Sequence, residues 1–374
     1  EALLRFLQFG SVPMPVTTIK NVHGLQAGHY MTFTHQGATI KRYWDLRVQP
    51  SGSMRAADPV QTTRRLLSEA VSTHLVSDVP VGVFLSGGTD SSALVALASG
   101  AQSAPVTTLS MVFNETEYDE ATYARVVAAQ YQTQHHERPL SESEFMQEWP
   151  MALKAMDQPS IDGLNTYWVS RAAKQVGLTV VLSGLGGDEV FLGYHHFRKA
   201  RYLQKPVWCL RILPRSVRTG LVSLAEILGR LSGQAGAEKL AYLNHPSAQS
   251  AYLLFRGLFA PNHIRDLMGL TERETQALGE LPASLHAPNG LTLLETFQYL
   301  DFSHFLQNQL LKDADVMSMA HSIETRVPFL DHPLAEYVAA LPAELKLQGP
   351  RPKVLLVDAM GSQFPRAVWD RPKQ

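Results

Sequence analysis

Val81-Gly82-Val83-Phe84-Leu85-Ser86-Gly87-Gly88-Thr89-Asp90-Ser91-Ser92 and Val180-Val181-Leu182-Ser183-Gly184-Leu185-Gly186-Gly187-Asp188-Glu189 share one pattern. In each, a short apolar run stops at Ser-Gly, small residues follow, and an Asp heads a helix-like stretch. Such a run, bounded by turn residues, reads as a strand buried on both faces. The pair reads as one nucleotide site built twice. Outward from these stretches, strand and helix patterns alternate: helix 59–77, strand 81–85, helix 90–100, strand 106–112, helix 119–131, strand 135–139, helices 143–155 and 165–176, strand 179–182. Alternation of this kind predicts an α/β fold, a parallel sheet with helices on both faces. From about 195 to 290 the strand signal fades into Leu/Ala/Arg-rich text, which predicts a helical insertion. Upstream, Tyr30–Phe33 and Thr39–Trp44 around Gly37 predict a hairpin-like pair of β segments. Residues 47–58 read as a linker, and 1–46 as the end of a preceding domain.

With 374 residues, 45% hydrophobic, 18% charged and a net charge of −1, the chain is too long for one ordinary core, so two or more domains are expected. The neutral balance gives no electrostatic reason to expect nucleic acid or an anionic membrane as partner, which leaves small molecules. The single cysteine, Cys209, excludes an intrachain disulfide and a cysteine cluster for zinc or iron–sulfur. Between Trp208 and Leu210 it is expected to be buried or inert. No apolar run approaches the ~20 residues of a membrane helix, and Glu1-Ala2-Leu3-Leu4-Arg5 is not a signal peptide, so a cytoplasmic protein is expected. The chain has no initiator Met, so the gene product is expected to begin upstream. His135-His136 and His195-His196 lack zinc-type spacing and are expected at the surface or in hydrogen bonds.

The first stretch carries chemistry through its backbone. Gly87 and Gly88 let main-chain N–H groups approach an anion, and the helix from 90 aims its positive end at the same point. Ser86, Thr89, Ser91 and Ser92 add hydroxyls. This is not a Walker loop, since no lysine follows the glycines. A carboxylate beside phosphates is repulsive unless a hard cation lies between, so Asp90 argues for Mg²⁺. The alternative is a Gly-Ser turn with Asp90 as a charge at the helix start.

A loop of the form Ser-Gly-Gly-x-Asp-Ser resembles the PP-loop of the ATP pyrophosphatases, whose adenine nucleotide alpha hydrolase-like fold is implied here. Members cleave ATP between the α- and β-phosphates, and GMP, NAD and argininosuccinate synthetases and tRNA-thiolating enzymes are among them. The second stretch, continued as Val190-Phe191-Leu192-Gly193-Tyr194, narrows the resemblance to asparagine synthetases. So do Tyr118-Asp119-Glu120, Asp157-Gln158-Pro159, the run Ser318 to Asp331, and Arg371-Pro372-Lys373, in order over about 55–374. Phe9-Gly10-Ser11-Val12-Pro13 and Tyr43-Trp44 are similar to the exit from that family's glutaminase domain. The resemblance thus implies a glutaminase remnant over 1–46 and a synthetase domain over 59–374.

The resemblance implies ATP and Mg²⁺ as cofactors, with Asp90 and Asp188 as metal carboxylates and Leu85, Met111, Ser183 and Gly184 against adenine and ribose. Met111 reads equally well as core packing. Lys373 matches the family lysine that neutralises the α-phosphate and departing pyrophosphate, although such a tail is ordinarily solvated. The implied reaction is amidation of a carboxylate, aspartate first, through an acyl-adenylate, with ammonia from glutamine in the full-length protein and a homodimer compatible with it. Leu185 departs from the pattern, because asparagine synthetases carry Glu or Asp there and leucine accepts no proton. Glu324 and Tyr194 are candidate bases in its stead, and Glu324 reads equally as a salt bridge to Arg326. The departure leaves open another carboxylate acceptor, an amide-forming cyclase, or a non-catalytic partner protein.

Overall fold

The computed structural model describes residues 1–46, 48, 58–113, 121–234, 236–271, 274, 285–349 and 351–370. By internal contacts the chain divides into two compact units. One comprises Glu1–Pro50, Gln158–Ile161 and Tyr194–Gln309, the other Ser51–Asp157, Asp162–Gly193 and Leu310–Gln374.

The first unit is mainly helical. The hairpin of β1 (His29–Thr34) and β2 (Gly37–Arg42) is antiparallel, with Thr34 opposite Gly37. Helix Ala2–Phe9 precedes it and ends on Gly10, whose N–H donates to the Phe6 carbonyl at 2.7 Å. Past 194 come helices His195–Ile212, Arg215–Leu231, Ala248–Arg256, Pro261–Met268 and Leu293–Leu300, a 3₁₀ segment Ala237–Asn244 and a π-helical segment beginning at Asp301. Helix Leu293–Leu300 starts in a full capping box, Thr292 accepting from the Glu295 N–H and Glu295 from the Thr292 N–H. Cys209 is exposed. The expectation of burial fails because its helix packs through other positions, such as Ala200 and Val207.

The second unit is the α/β part. Strands β3 (Val81–Phe84), β4 (Thr107–Phe113), β5 (Gln134–Leu140), β6 (Val180–Leu182) and β7 (Glu324–Arg326) form a parallel sheet in the order β5-β4-β3-β6-β7. The core lies on both faces. Val81 and Val83 are buried on one side of β3. On the other side Phe84 packs with Leu109, Val181 and the Ala172–Ala173 pair of helix Leu164–Gln175. Strands buried on both faces read as continuous apolar runs, which is why 81–85 and 180–182 were legible. Helix Thr89–Ala101 is buried along most of its length, from Ser91 to Ala98. Helix Pro59–His74 begins with Asp58 accepting from the Gln61 N–H at 2.9 Å and Pro59 at the first helical position. The predicted helices and strands from 59 to 182 match these bounds to within a few residues.

Strand β7 was not predicted. It has three residues, Glu-Thr-Arg, and owes its extended state to pairing with β6. Chain order runs outward from β3 to β5 on one side and from β6 to β7 on the other. Neighbours β3 and β6 therefore flank the reversal point, beyond whose carboxyl ends an open sheet holds its ligand.

Candidate active site

Both quoted stretches leave their strands at that reversal point. After β3, the Leu85 N–H donates to the Leu109 carbonyl at 2.9 Å, and Gly87 takes φ 76. A left-handed residue suits glycine and turns the chain into helix Thr89–Ala101. The loop is held from within. The Ser86 N–H donates to Ser91 Oγ, the Gly88 N–H to Ser86 Oγ, and Ser91 Oγ to the Gly88 carbonyl, each at 3.2 Å. Ser91 is thus a brace of the loop, Ser92 is wholly buried, and Ser86 is the exposed hydroxyl, with Thr89 half-buried.

After β6, the Ser183 N–H donates to the Arg326 carbonyl at 2.8 Å, and a short helix, Gly187–Val190, carries Asp188 and Glu189. The glycines of the second loop meet the Asp90 side chain of the first. A Cβ on Gly184 would stand 2.9 Å from Asp90 Cβ, and one on Gly187 would stand 2.5 Å from Asp90 Cγ. Only glycine permits that approach.

Asp90 and Asp188 are brought together, as the sequence suggested, and what joins them is a lysine the sequence reading missed. Lys353 Nζ forms an ion pair with Asp90 Oδ2 and donates to Asp188 Oδ1 at 2.8 Å. Lys353 is 4% exposed. Burial alone lowers its pKa, but the carboxylates of Asp90 and Asp188 outweigh that and raise it above the usual lysine value. It is therefore a fixed cation at neutral pH. Lys353 is the N-cap of helix Val354–Met360, with φ 51. A cation at a helix N-terminus opposes the dipole, so a lysine just ahead of Val354-Leu355-Leu356-Val357 was the signal available in the sequence.

Asp90 and Asp188 share the Lys353 ammonium through one oxygen each, and their other oxygens suit Mg²⁺, which is satisfied by one or two carboxylates plus waters and phosphates. Among the described residues no group of three or more His, Cys, Asp or Glu side chains could hold a metal, so substrate oxygens would have to complete such a site.

Met111 is partly buried and packs against the core clusters that contain Leu109, Leu140 and Trp168. Lys373, Arg371-Pro372 and Tyr118-Asp119-Glu120 lie outside the described residues. Glu324 is not brought to the site. It pairs with Val180 at the start of β6, whereas the loops leave the far end, after Leu182. There Glu324 is exposed and bound by Arg326 Nε at 2.6 Å, while Arg326 Nη1 donates to the carbonyls of His74 and Val76, each at 2.7 Å. The salt-bridge reading describes its surroundings. Leu185 is half-buried between the glycines of the second loop.

In the first unit, Tyr194 and His196 belong to a buried polar group. Asp301 accepts from Arg256 Nε at 2.8 Å and Nη2 at 3.0 Å, from the Tyr252 hydroxyl at 2.9 Å and from His196 Nε2 at 2.7 Å. Arg256 lies 4.3 Å over the Tyr194 ring. Burial raises the Asp301 pKa, but Arg256 and His196 more than reverse this and hold it at about 2.

A family profile described as asparagine synthase matches residues 62–374. The chain is 30% identical to asparagine synthetase [glutamine-hydrolyzing] 1 of Bacillus subtilis over its whole length, and spans 58% of that protein. It is 29% identical to the amidase chyE of Penicillium rubens, over 89% of this chain and 54% of that one. An NH3-dependent NAD synthetase from Campylobacter jejuni superposes on 36% of this chain and 60% of its own, at 18% identity and a TM-score of 0.26. At that score the superposition adds nothing to the assignment.

Proposed function

This chain belongs to the asparagine synthase family, and we propose that it activates a carboxylate with ATP and turns it into an amide, with aspartate the first acceptor to test. The observation that carries the reading is the convergence of Asp90, Asp188 and Lys353 where the two Ser-Gly loops touch. Backbone N–H groups at a helix start, a hard carboxylate pair and a buried cation suit a polyphosphate.

In the proposed reaction ATP lies over residues 86–90, with Leu85, Ser183 and Gly184 beside adenine and ribose. A substrate carboxylate oxygen attacks the α-phosphorus, the bond to the bridging oxygen breaks, and pyrophosphate leaves. The Lys353 ammonium stabilises charge as it builds on the leaving group, which is the electrostatic part of the catalysis. Lys373 is proposed as a second cation toward the α-phosphate. Asp90 and Asp188 would hold Mg²⁺, which when bound offsets the pyrophosphate charge. Ammonia then attacks the acyl carbon and AMP leaves. Because Leu185 offers no proton acceptor and Glu324 stands at the other end of the strands, the proton that the nitrogen sheds after ammonia attacks passes to solvent. Supply of that ammonia from glutamine is proposed for a longer protein, since this chain spans about half the length of its curated relatives.

Leu185 favours a second reading, an acceptor other than aspartate that meets an apolar side chain. One experiment separates the two. The protein is incubated with Mg²⁺, ATP, ammonium and L-aspartate, and pyrophosphate, AMP and asparagine are assayed together. Equal AMP and asparagine are expected. ATP binding with no AMP formation moves the proposal to another carboxylate, AMP without asparagine shows aspartate adenylated without amide transfer, and failure to bind Mg²⁺·ATP overturns the proposal.

A further inference from the structure

The near-neutral chain hides a strongly basic segment. Of its 33 lysines and arginines, eight fall within residues 195–231, against one of its 34 acidic residues, so this stretch carries +7 and the remainder −8. It comprises helices His195–Ile212 and Arg215–Leu231.

Helix Arg215–Leu231 is amphipathic in the unusual direction. At 100° per residue, Val217, Leu221, Leu224, Leu228 and Leu231 fall on one stripe, with Ile227 at its margin. That stripe faces out: Leu224 is 53% exposed, Leu228 57% and Leu231 80%. The side turned inward carries Val222 and Gly229, and Gly229 lies so close to Ala237 that a Cβ there would be 2.7 Å from the Ala237 methyl. The helix therefore docks through small contacts and presents its leucines to solvent. The preceding helix adds exposed Tyr202, Trp208 at 61% and Ile212, interleaved with exposed Arg201, Lys205 and Arg211. Apolar surface on this scale, rimmed by charge, marks an interaction face.

We infer that residues 195–231 form an interfacial anchor that lays this leucine stripe onto an anionic phospholipid surface. Charge chooses the occupant. Exposed basic residues together with exposed Trp208 and the leucine stripe suit a bilayer carrying negative headgroups, where each Lys or Arg adds attraction and the apolar side chains enter the headgroup boundary. No helix among the described residues is long and apolar enough to cross a membrane, so the attachment is peripheral. The anchor stands apart from the proposed amidation.

The test is co-sedimentation of the whole chain with vesicles of phosphatidylcholine alone and of phosphatidylcholine with 30% phosphatidylglycerol, a round trial composition. Binding is expected to the anionic vesicles and to fall steeply with salt. Leu224→Asp/Leu228→Asp, at exposed positions that leave folding intact, should weaken it at least tenfold. Arg211→Glu/Arg215→Glu should weaken it by roughly fivefold or more per residue and remove the preference for anionic lipid. Light scattering of the same samples supplies the competing outcome. A dimer that Leu224→Asp/Leu228→Asp dissociates, with no vesicle binding, would overturn the proposal in favour of a second copy as occupant. Equal binding to both vesicle types overturns it as well.

Discussion

Lys353 Nζ stands 2.8 Å from Asp188 Oδ1 while also pairing with Asp90, so one buried ammonium joins the two loops. Removing it leaves the two carboxylates facing each other without the cation they share. Lys353→Met is expected to cost about 3 kcal/mol of stability, as for a buried pair that loses one partner. Urea unfolding measures this, and added Mg²⁺ should recover part of the loss by replacing the cation. AMP formation should fall at least 100-fold, about 3 kcal/mol of transition-state stabilisation. Unchanged adenylation would remove Lys353 from the site.

The glycine contact gives a steric prediction. In Gly187→Ala the new methyl meets Asp90 Cγ at 2.5 Å, so the loops must part. Overpacking of this kind costs about 1–3 kcal/mol. The larger effect should fall on ATP affinity, measured by calorimetry, because the methyl displaces the carboxylate of the proposed nucleotide site.

Glu324→Gln is expected to change AMP formation less than twofold. Its carboxylate is exposed and paired to Arg326 at the opening end of β7, where a surface pair is worth at most about 1 kcal/mol. A 100-fold drop in pyrophosphate release would restore it as a base.

His304 sets a pH prediction. Burial pushes its pKa down from 6.5 to about 3, Arg5 adding to the effect and Asp301 opposing it. The folded state therefore keeps it neutral while the unfolded chain protonates below pH 6.5. Stability is full above 6.5 and falls as pH drops toward 3, by about 2 kcal/mol at pH 5. Asp301, depressed from 3.8 to about 2, adds its own loss only below about pH 4. His304→Phe should flatten the decline between pH 7 and 5 in urea titrations, and an identical slope would refute the assignment.

What was legible in the sequence is what short-range signals encode. The strands before Ser86 and Ser183 were readable from apolar runs and glycine, and the meeting of Asp90 with Asp188 followed from where such strands end. Strand β7 was not readable, since Glu-Thr-Arg has no apolar pattern and its geometry comes from β6. Lys353 was missed because Gly349-Pro350-Arg351-Pro352 reads as a loop, and only the folded topology sets its ammonium against Asp90. The outward leucine stripe was hidden in the opposite way. Its periodicity was plain, but periodicity predicts a buried face, and the whole-chain charge concealed the local excess.

The contact of Gly184 and Gly187 with Asp90 also bears on how such a catalyst diversifies. Where two loops meet backbone to carboxylate, nearly every substitution is a collision, so the activation machinery is closed to variation. Leu185, between those glycines and only half-buried, escapes that constraint. Under the proposed amidation, a lineage built on this frame would change its acceptor through that one side chain while inheriting the means of activating it intact.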